Sequence, residues 1–242
     1  MKDDITKINN YVVLDLEMTG LNPKNDKVIE IAAVKVQNRK ITDTYSTLVN
    51  PMVKISERIT ELTGITNEMV AFAAGTDEAM QKLVDFIGDQ VIVGHNIRFD
   101  YSFIKQWAVN QKIPLELKAY DTLKLARTLL PQELPKKLES LCEYFNIPRE
   151  NAHRALDDTI ETKLVFELLL DMIIEKKEPL PQPTPLVYKA KRQTPATAHQ
   201  IQRLKEIIAT NNIEDEIEWD VLTRSQASRL QDYYRLKYPP EN

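Results

Sequence analysis

The stretch Tyr11-Val12-Val13-Leu14-Asp15-Leu16-Glu17 decides the fold, because it joins a buried strand to a pair of acids. Its first four positions are an aromatic residue, two β-branched residues and a leucine, an apolar run that is typical of a central strand. Side chains alternate along a strand, so the carboxylates of Asp15 and Glu17 point to one side at its carboxyl end. Two carboxylates this close repel each other unless a cation lies between them. The pair predicts a cation site, although a solvated strand end before the turn at Thr19-Gly20 would show the same pattern.

A third acid follows another apolar run, Val91-Ile92-Val93-Gly94. His95 and Asn96 fall in the turn after this run, and Asn96 is expected to cap the next helix. Aromatic residues then recur at every fourth position and predict a helix with a core-facing stripe, formed by Phe99, Phe103 and Trp107. Asp100 lies about one turn into that helix. It is either a catalytic acid or a first-turn acid stabilised by the helix dipole.

The last acidic motif, His153-Arg154-Ala155-Leu156-Asp157-Asp158, precedes a strongly apolar helix. His153 is expected in the connecting loop, whereas Asp158 is expected in the first helical turn. A histidine on a loop suits a general base, and an aspartate held by a helix suits a metal ligand. A surface histidine and two helix-capping aspartates are the alternative, and Asp157 is expected only to cap.

In this order the motifs match D-x-E, H-N-x-x-F-D and H-x-A-x-x-D, and the chain resembles the DEDDh family of 3′→5′ exonucleases over about residues 9–175. The segment Glu61-Leu62-Thr63-Gly64-Ile65-Thr66 is similar to proofreading members, which include the epsilon subunit of bacterial DNA polymerase III. The resemblance implies that four carboxylates hold two divalent ions, Mg²⁺ or Mn²⁺, and that His153 is the general base. The implied metal ligands are Asp15, Glu17, Asp100 and Asp158.

The resemblance also predicts which residues surround the terminal nucleotide of a single-stranded 3′ end. They are Leu16, Met18, Thr19, Leu21, His95, Asn96 and Phe99. Met18 follows Glu17 as in the oligoribonuclease branch, whereas the second motif is of the proofreading type. DNA is therefore the expected substrate, with an RNA-trimming exonuclease as the alternative. A non-catalytic scaffold that binds a polymerase is a third hypothesis.

The amino-acid composition and net charge limit the classes of protein to which the chain can belong. The chain has 242 residues, 43% of them hydrophobic and 28% charged, and a net charge of −4. A chain with a net negative charge is not expected to bind along long duplex DNA. Binding a strand end through metal ions, however, does not require a row of basic side chains. Cys142 is the only cysteine and is expected to be a buried structural thiol. The amino terminus lacks an apolar signal core and no 18 apolar residues run together, so we expect a cytoplasmic protein with no membrane contact.

The order of the predicted elements indicates an α/β fold of the ribonuclease-H-like type, with a mixed five-stranded sheet flanked by helices. Strands are predicted at 10–17, 27–37, 40–49, 90–94 and near 117–121. Helices are predicted at about 77–87, 97–110, 122–130, 136–146 and 155–175.

The sequence becomes rich in proline after the last of these helices, and on this basis we divide the chain into three parts. Residues 1–177 are predicted to form the exonuclease domain, and 178–193 a proline-rich basic linker. Residues 194–242 are predicted to form a small helical module, in which Thr223-Arg224-Ser225-Gln226 matches a capping box. So small a module is expected to pack either on the catalytic domain or on a partner, such as a polymerase or another DNA-metabolism protein.

Overall fold

A computed structural model describes residues 8–149, 154–215 and 217–239. Its centre is a seven-stranded sheet with the order β4-β3-β2-β1-β5-β6-β7. The strands are β1 (Asn10–Met18), β2 (Val28–Gln37), β3 (Lys40–Asn50), β4 (Ala74–Gly75), β5 (Ile92–Gly94), β6 (Lys118–Asp121) and β7 (Thr184–Pro185). Strands β1 to β3 form an antiparallel meander, while β5 runs parallel to β1 and β6 parallel to β5. The α/β class with a mixed sheet is confirmed.

Helices cover both faces of this sheet. They are α1 (Glu57–Thr63), α2 (Asn67–Val70), α3 (Thr76–Ile87), α4 (Arg98–Gln111), α5 (Thr122–Leu129), α6 (Leu138–Tyr144), α7 (Ala155–Glu175), α8 (Ala198–Thr210) and α9 (Arg224–Lys237). Val12 and Leu14 of β1 pack in a cluster with residues of α3 and α4. Tyr11 and Val13 pack on the opposite face against Phe166 of α7. Strand β1 is thus buried on both faces, which explains its continuous apolar run.

The structure corrects the predicted fold in two details. The sheet has two more strands than the five predicted, because β4 and β7 are two-residue edge strands that leave no alternating pattern in the sequence. Asn96 does not cap α4. Its backbone is left-handed, with φ of 60°, and the residue that precedes the helix is Ile97, whose side chain has no polar atom.

The proline-rich segment is extended, and it lies along the sheet edge. Residues 184–185 pair with β6, and the Leu186 amide donates to the Leu117 carbonyl at 2.9 Å. The Leu186 side chain is buried in the main core cluster. This part of the predicted linker is therefore anchored to the edge of the central sheet.

The C-terminal helices enclose a small core of their own, which contains Leu204, Leu222, Ala227 and Tyr234. The predicted capping box of α9 is confirmed, and a second box opens α8. The module touches the rest of the chain where Glu218 accepts a hydrogen bond from the Lys54 amide at 2.9 Å. Across the described residues, no helix combines the length and apolar character needed to span a membrane.

Candidate active site

Two of the predicted site acids lie at the carboxyl end of β1. Strand alternation sends Leu16 and Met18 into the main core cluster and leaves Asp15 and Glu17 on the other face of the sheet. The ladder between β1 and β2 shifts register between Glu17 and Met18, where the strand is about to leave the sheet. The first motif therefore has the geometry predicted for it.

Asp158 reaches these acids from the first turn of α7. This helix packs across β1 and β2, which brings its amino terminus to the carboxyl end of β1. Among the described residues, Asp15, Glu17 and Asp158 each offer a carboxylate oxygen, and these atoms lie within 4.8 Å of one another. One oxygen of Asp158 also contacts the Arg149 guanidinium at 2.7 Å.

Asp100 joins the site from the opposite side of β1. Because β1 and β5 are parallel, their carboxyl ends meet at one edge, and α4 begins just after β5. The Asp100 carboxylate is buried and accepts a hydrogen bond from the Leu16 amide at 3.1 Å. Since Leu16 lies between the two acids of β1, this bond fixes Asp100 beside both of them.

The electrostatics of this cluster favour uptake of positive charge. Burial, followed by the charges of Asp100, Glu17 and Asp158, raises the pKa of Asp15 well above its usual range. Burial is also the main cause that raises the pKa of Glu17 to about 8 and that of Asp100 to about 7. For Asp100 the hydrogen bond from the Leu16 amide acts in the opposite direction. A bound cation would relieve the repulsion, and an all-oxygen donor set suits hard divalent ions rather than zinc.

His153 lies outside the described residues, so its role stays a prediction. Among the residues predicted to contact substrate, Leu16 and Met18 have buried side chains, with Met18 7% exposed. Leu21 is 80% exposed, and Thr19 accepts a hydrogen bond from the Lys27 amide at 2.9 Å, which closes the turn after β1.

The predicted substrate residues of the second motif differ in exposure. Asn96 is exposed, whereas Phe99 is half-buried and meets Phe103 edge-on, with ring centroids 5.6 Å apart. His95 has its Nδ1 atom 2.9 Å from the Thr122 hydroxyl, and burial lowers the pKa of its imidazole. His95 is therefore held against β6 and α5 by a bond that fixes its ring.

Sequence reasoning missed charged residues beside the cluster, among them Arg149, which contacts Asp158, and Glu30. Glu30 of β2 stands opposite Glu17 in the ladder and is 2% exposed. Its carboxylate binds the Arg154 guanidinium at 2.8 Å and the Ala155 amide at 3.0 Å. A lone acid inside the apolar run Val28-Ile29-Glu30-Ile31 was the available signal.

Cys142 is confirmed as a buried thiol. Its sulfur lies 3.7 Å from a Glu161 oxygen, and burial raises the pKa of the thiol to about 12. Burial and the raised pKa favour the neutral thiol, as expected for a structural cysteine.

Comparison with known proteins agrees with this geometry. A family model described as exonuclease, RNase T, matches residues 12–166. A PolC-type DNA polymerase III of Caldanaerobacter subterraneus subsp. tengcongensis is 42% identical over 165 residues, which are 68% of this chain and 12% of that protein. The chain therefore spans about an eighth of the PolC-type relatives it matches.

Two further matches cover most of the other protein's length. The DNA polymerase III epsilon subunit of Aquifex aeolicus is 36% identical over 172 residues, which are 71% of this chain and 85% of that subunit. The solved structure of exonuclease X in complex with 5′ overhanging duplex DNA is 26% identical, has a TM-score of 0.53, and covers 70% of this chain and 94% of its own. The resemblance to DEDDh exonucleases is confirmed. The chain belongs to the RNase T family of metal-dependent exonucleases.

Proposed function

We propose that this chain removes 5′-nucleotides one at a time from single-stranded 3′ ends of DNA, with two Mg²⁺ or Mn²⁺ ions. The observation that carries the proposal is the approach of three carboxylate oxygens, from Asp15, Glu17 and Asp158, to within 4.8 Å of one another. Such a cluster is unfavourable without a cation and matches the ligand preference of divalent ions. Asp15, Glu17 and Asp158 would hold the first ion, and Asp15 and Asp100 would contribute to the second.

The ions, when bound, supply the two capacities that phosphodiester hydrolysis needs, activation of a water and stabilisation of the leaving oxygen. The chain's own acids hold these charges in place. Asp15 and Glu17 are fixed by the strand, Asp158 by α7, and Asp100 by its bond to the Leu16 amide. Fixed ligands need little rearrangement during the reaction, which is the main advantage of a preorganised site.

His153 is proposed as the general base that takes the proton of the attacking water. The chemistry of histidine and the position of this residue in the sequence both support this role. A histidine titrates near neutral pH, and His153 is the residue before Arg154, which is bound to Glu30 beside the acid cluster.

DNA is the proposed substrate rather than RNA. The relatives named above are DNA polymerase III proteins, and exonuclease X was solved with DNA. Met18 had suggested an RNA-trimming enzyme, but its side chain lies in the core, so its identity reflects packing. The site does not support the hypothesis of a non-catalytic scaffold. The chain has all four acids predicted as metal ligands, and the carboxylates of three of them lie close together.

The C-terminal module is proposed to engage a polymerase or another DNA-metabolism protein. Its inner residues are occupied by its own core, whereas Tyr233 and Leu236 of α9 are 51% and 85% exposed. These two side chains would form part of the contact.

The function is tested with DNA and RNA oligonucleotides of one sequence, labelled at the 5′ end and incubated with Mg²⁺, with Mn²⁺ or with excess chelator. We expect a ladder that shortens from the 3′ end on DNA, slower loss on RNA, and no loss with chelator. A 3′-phosphorylated DNA serves as the substrate control, and Asp15→Asn as the enzyme control. Digestion in excess chelator, or by the Asp15→Asn enzyme at the normal rate, would refute the metal mechanism. Faster digestion of RNA would refute the substrate assignment.

A further inference from the structure

Glu30 is a buried carboxylate on the face of the sheet that carries Asp15 and Glu17. It stands directly opposite Glu17 in the ladder between β1 and β2. Its neighbours in β2, Ile29 and Ile31, are fully buried apolar residues. An acid at this position is unusual, because glutamate is almost never fully buried unless it is paired. Packing alone therefore does not explain an acid here.

The contacts of Glu30 show what it holds. Both of its oxygens face the start of α7. One oxygen accepts from the Arg154 Nη2 atom at 2.8 Å and from Nε at 3.2 Å, and the other accepts from the Ala155 amide at 3.0 Å. Glu30 is outside the group of three acids that could bind a metal together, so among the described residues its partners belong to the helix.

The bond to Ala155 acts as a helix cap supplied by another element. The residue at the N-cap position of α7 is Arg154, and its side chain makes no capping bond within the described part of the helix. The first helical amide is bound instead by the Glu30 carboxylate, a favourable partner for a helix amino terminus. The same turn continues directly to Asp158, whose amide donates to the Arg154 carbonyl at 3.0 Å.

These contacts make one rigid connection between two metal ligands. Glu17 is held against Glu30 by the strand ladder, Glu30 is held against Arg154 and Ala155, and the first turn of α7 carries Asp158. The contacts therefore run from Glu17 on β1, through Glu30 on β2, to Asp158 on α7. The middle of α7 is held to the sheet separately, through Phe166 packed with Tyr11 and Val13, so the connection through Glu30 acts on the first turn.

We propose that Glu30, through Arg154, is a positioning residue that sets the first turn of α7 and hence the distance of Asp158 from Asp15 and Glu17. The proposal rests on the metal site proposed above. Arg154 precedes the helix and follows His153 in the sequence. Residues that orient metal ligands from behind typically contribute about 10–100-fold to metal affinity or activity.

The test compares Glu30→Gln and Arg154→Gln with wild type and with a matched control, Glu167→Gln. Glu167 also forms a buried ion pair on α7, with Lys163 at 2.9 Å, but it lies far along the helix from Asp158. The full chain is used throughout. Three quantities are measured: kcat and KM on a short single-stranded DNA at saturating Mg²⁺, the midpoint of a Mn²⁺ titration followed by tryptophan fluorescence, and the melting temperature in chelator.

For Glu30→Gln we expect kcat to fall about 10–100-fold and the Mn²⁺ midpoint to rise about tenfold, with KM changed less than about threefold because substrate contacts are retained. Arg154→Gln should show the same pattern more weakly, and the double variant should be no worse than Glu30→Gln, because the two residues act as one unit. Glu167→Gln should lower the melting temperature and leave kcat and the midpoint near the wild-type values.

Two results would overturn the proposal. One is a Glu30→Gln protein whose kcat and Mn²⁺ midpoint match those of Glu167→Gln. The other is a double variant whose losses are the product of the single losses. Arg154 is 43% exposed, so its variant keeps the test decisive if Glu30→Gln does not fold. A wild-type chain that neither binds Mn²⁺ nor digests DNA refutes the metal site itself, which distinguishes that failure from a failure of the Glu30 proposal.

Discussion

Replacing Asp15 with asparagine should make the metal-free protein more stable and the enzyme inactive. Asparagine keeps the shape of the side chain but removes the charge at the centre of the cluster. Oxygens of Glu17 and Asp158 lie within 4.8 Å of an Asp15 oxygen. At that distance each repulsive pair is worth about 3.5 kcal/mol for an effective dielectric constant of about 20. Proton uptake by the raised pKa groups relieves part of this repulsion, so we expect a net gain of about 2 kcal/mol.

That gain should appear as a rise in melting temperature. For a domain of this size, about 2 kcal/mol corresponds to about 4–8 °C. With divalent ions bound, wild type should become more stable than the variant. Wild type at an Mn²⁺ concentration 100 times its Kd should gain about 2.7 kcal/mol, whereas the variant should gain much less. Turnover of the variant should fall at least about 100-fold, the scale of removing a central electrostatic group.

The assay is differential scanning fluorimetry with and without Mn²⁺, paired with digestion of a labelled single-stranded DNA. Asp157→Asn is the matched control, because it removes a charge from the residue beside Asp158 but outside the metal-binding group. It should change neither the response to Mn²⁺ nor the turnover. The reasoning is refuted if Asp15→Asn is less stable than wild type in chelator, or if Mn²⁺ stabilises both proteins equally.

Further predictions concern pH, the base and the chain terminus. In the folded protein the pKa of Glu17 is raised to about 8 and that of Asp100 to about 7. The folded state therefore binds protons more tightly than the unfolded state, and the resulting stabilisation is fully present at low pH and is lost as the pH rises through those values. In chelator the melting temperature should therefore fall between pH 5.5 and 8.5, and a flat profile would contradict the assignment. His153→Ala should lower kcat about 10²–10⁴-fold and move the acid limb of the pH–rate profile, while the Mn²⁺-induced rise in melting temperature remains. A chain ending at 192 should stay folded and active on short DNA, whereas one ending at 180 loses β7 and the buried Leu186, worth about 1.5–3 kcal/mol. Equal melting temperatures of the two truncated chains would show that the sheet-edge segment contributes nothing.

Local rules predicted most of the fold and the first acids of the site. The helix predicted at 155–175 is α7 with the same bounds, and β1 and β2 end within one residue of prediction. Strand alternation correctly placed Asp15 and Glu17 together. The same rule, applied one residue further, sends Met18 to the opposite face, and the burial of Met18 bears this out. The expectation that its side chain frames the last base came from the family resemblance instead.

Other features depended on information that no local pattern contains. Helices α1 and α2 have seven and four residues, too few for a helical period to stand out. The left-handed backbone of Asn96 follows from the tight junction of β5 with α4, where its amide binds Asp121 of the neighbouring strand at 3.1 Å. Glu30 and Arg154 are 124 residues apart, so their contact exists only once the ladder register and the crossing of α7 are both set.

The site shows why register matters more than motif spacing. Asp158 belongs to a different motif from Asp15 and Glu17, yet the three acids converge because α7 crosses β1 and β2 with its first turn at the carboxyl end of β1. Asp100 is held by the amide of Leu16, the residue between the two strand acids, so the backbone of β1 itself sets its place. A one-residue slip of β2 against β1 would move Glu30 to the opposite face and leave the start of α7 without its partner. The position of Asp158 therefore depends on the pairing of β1 with β2, in which Asp15 stands opposite Ala32 and Glu17 opposite Glu30, and this pairing is where variants with intact motifs but lost activity should be sought.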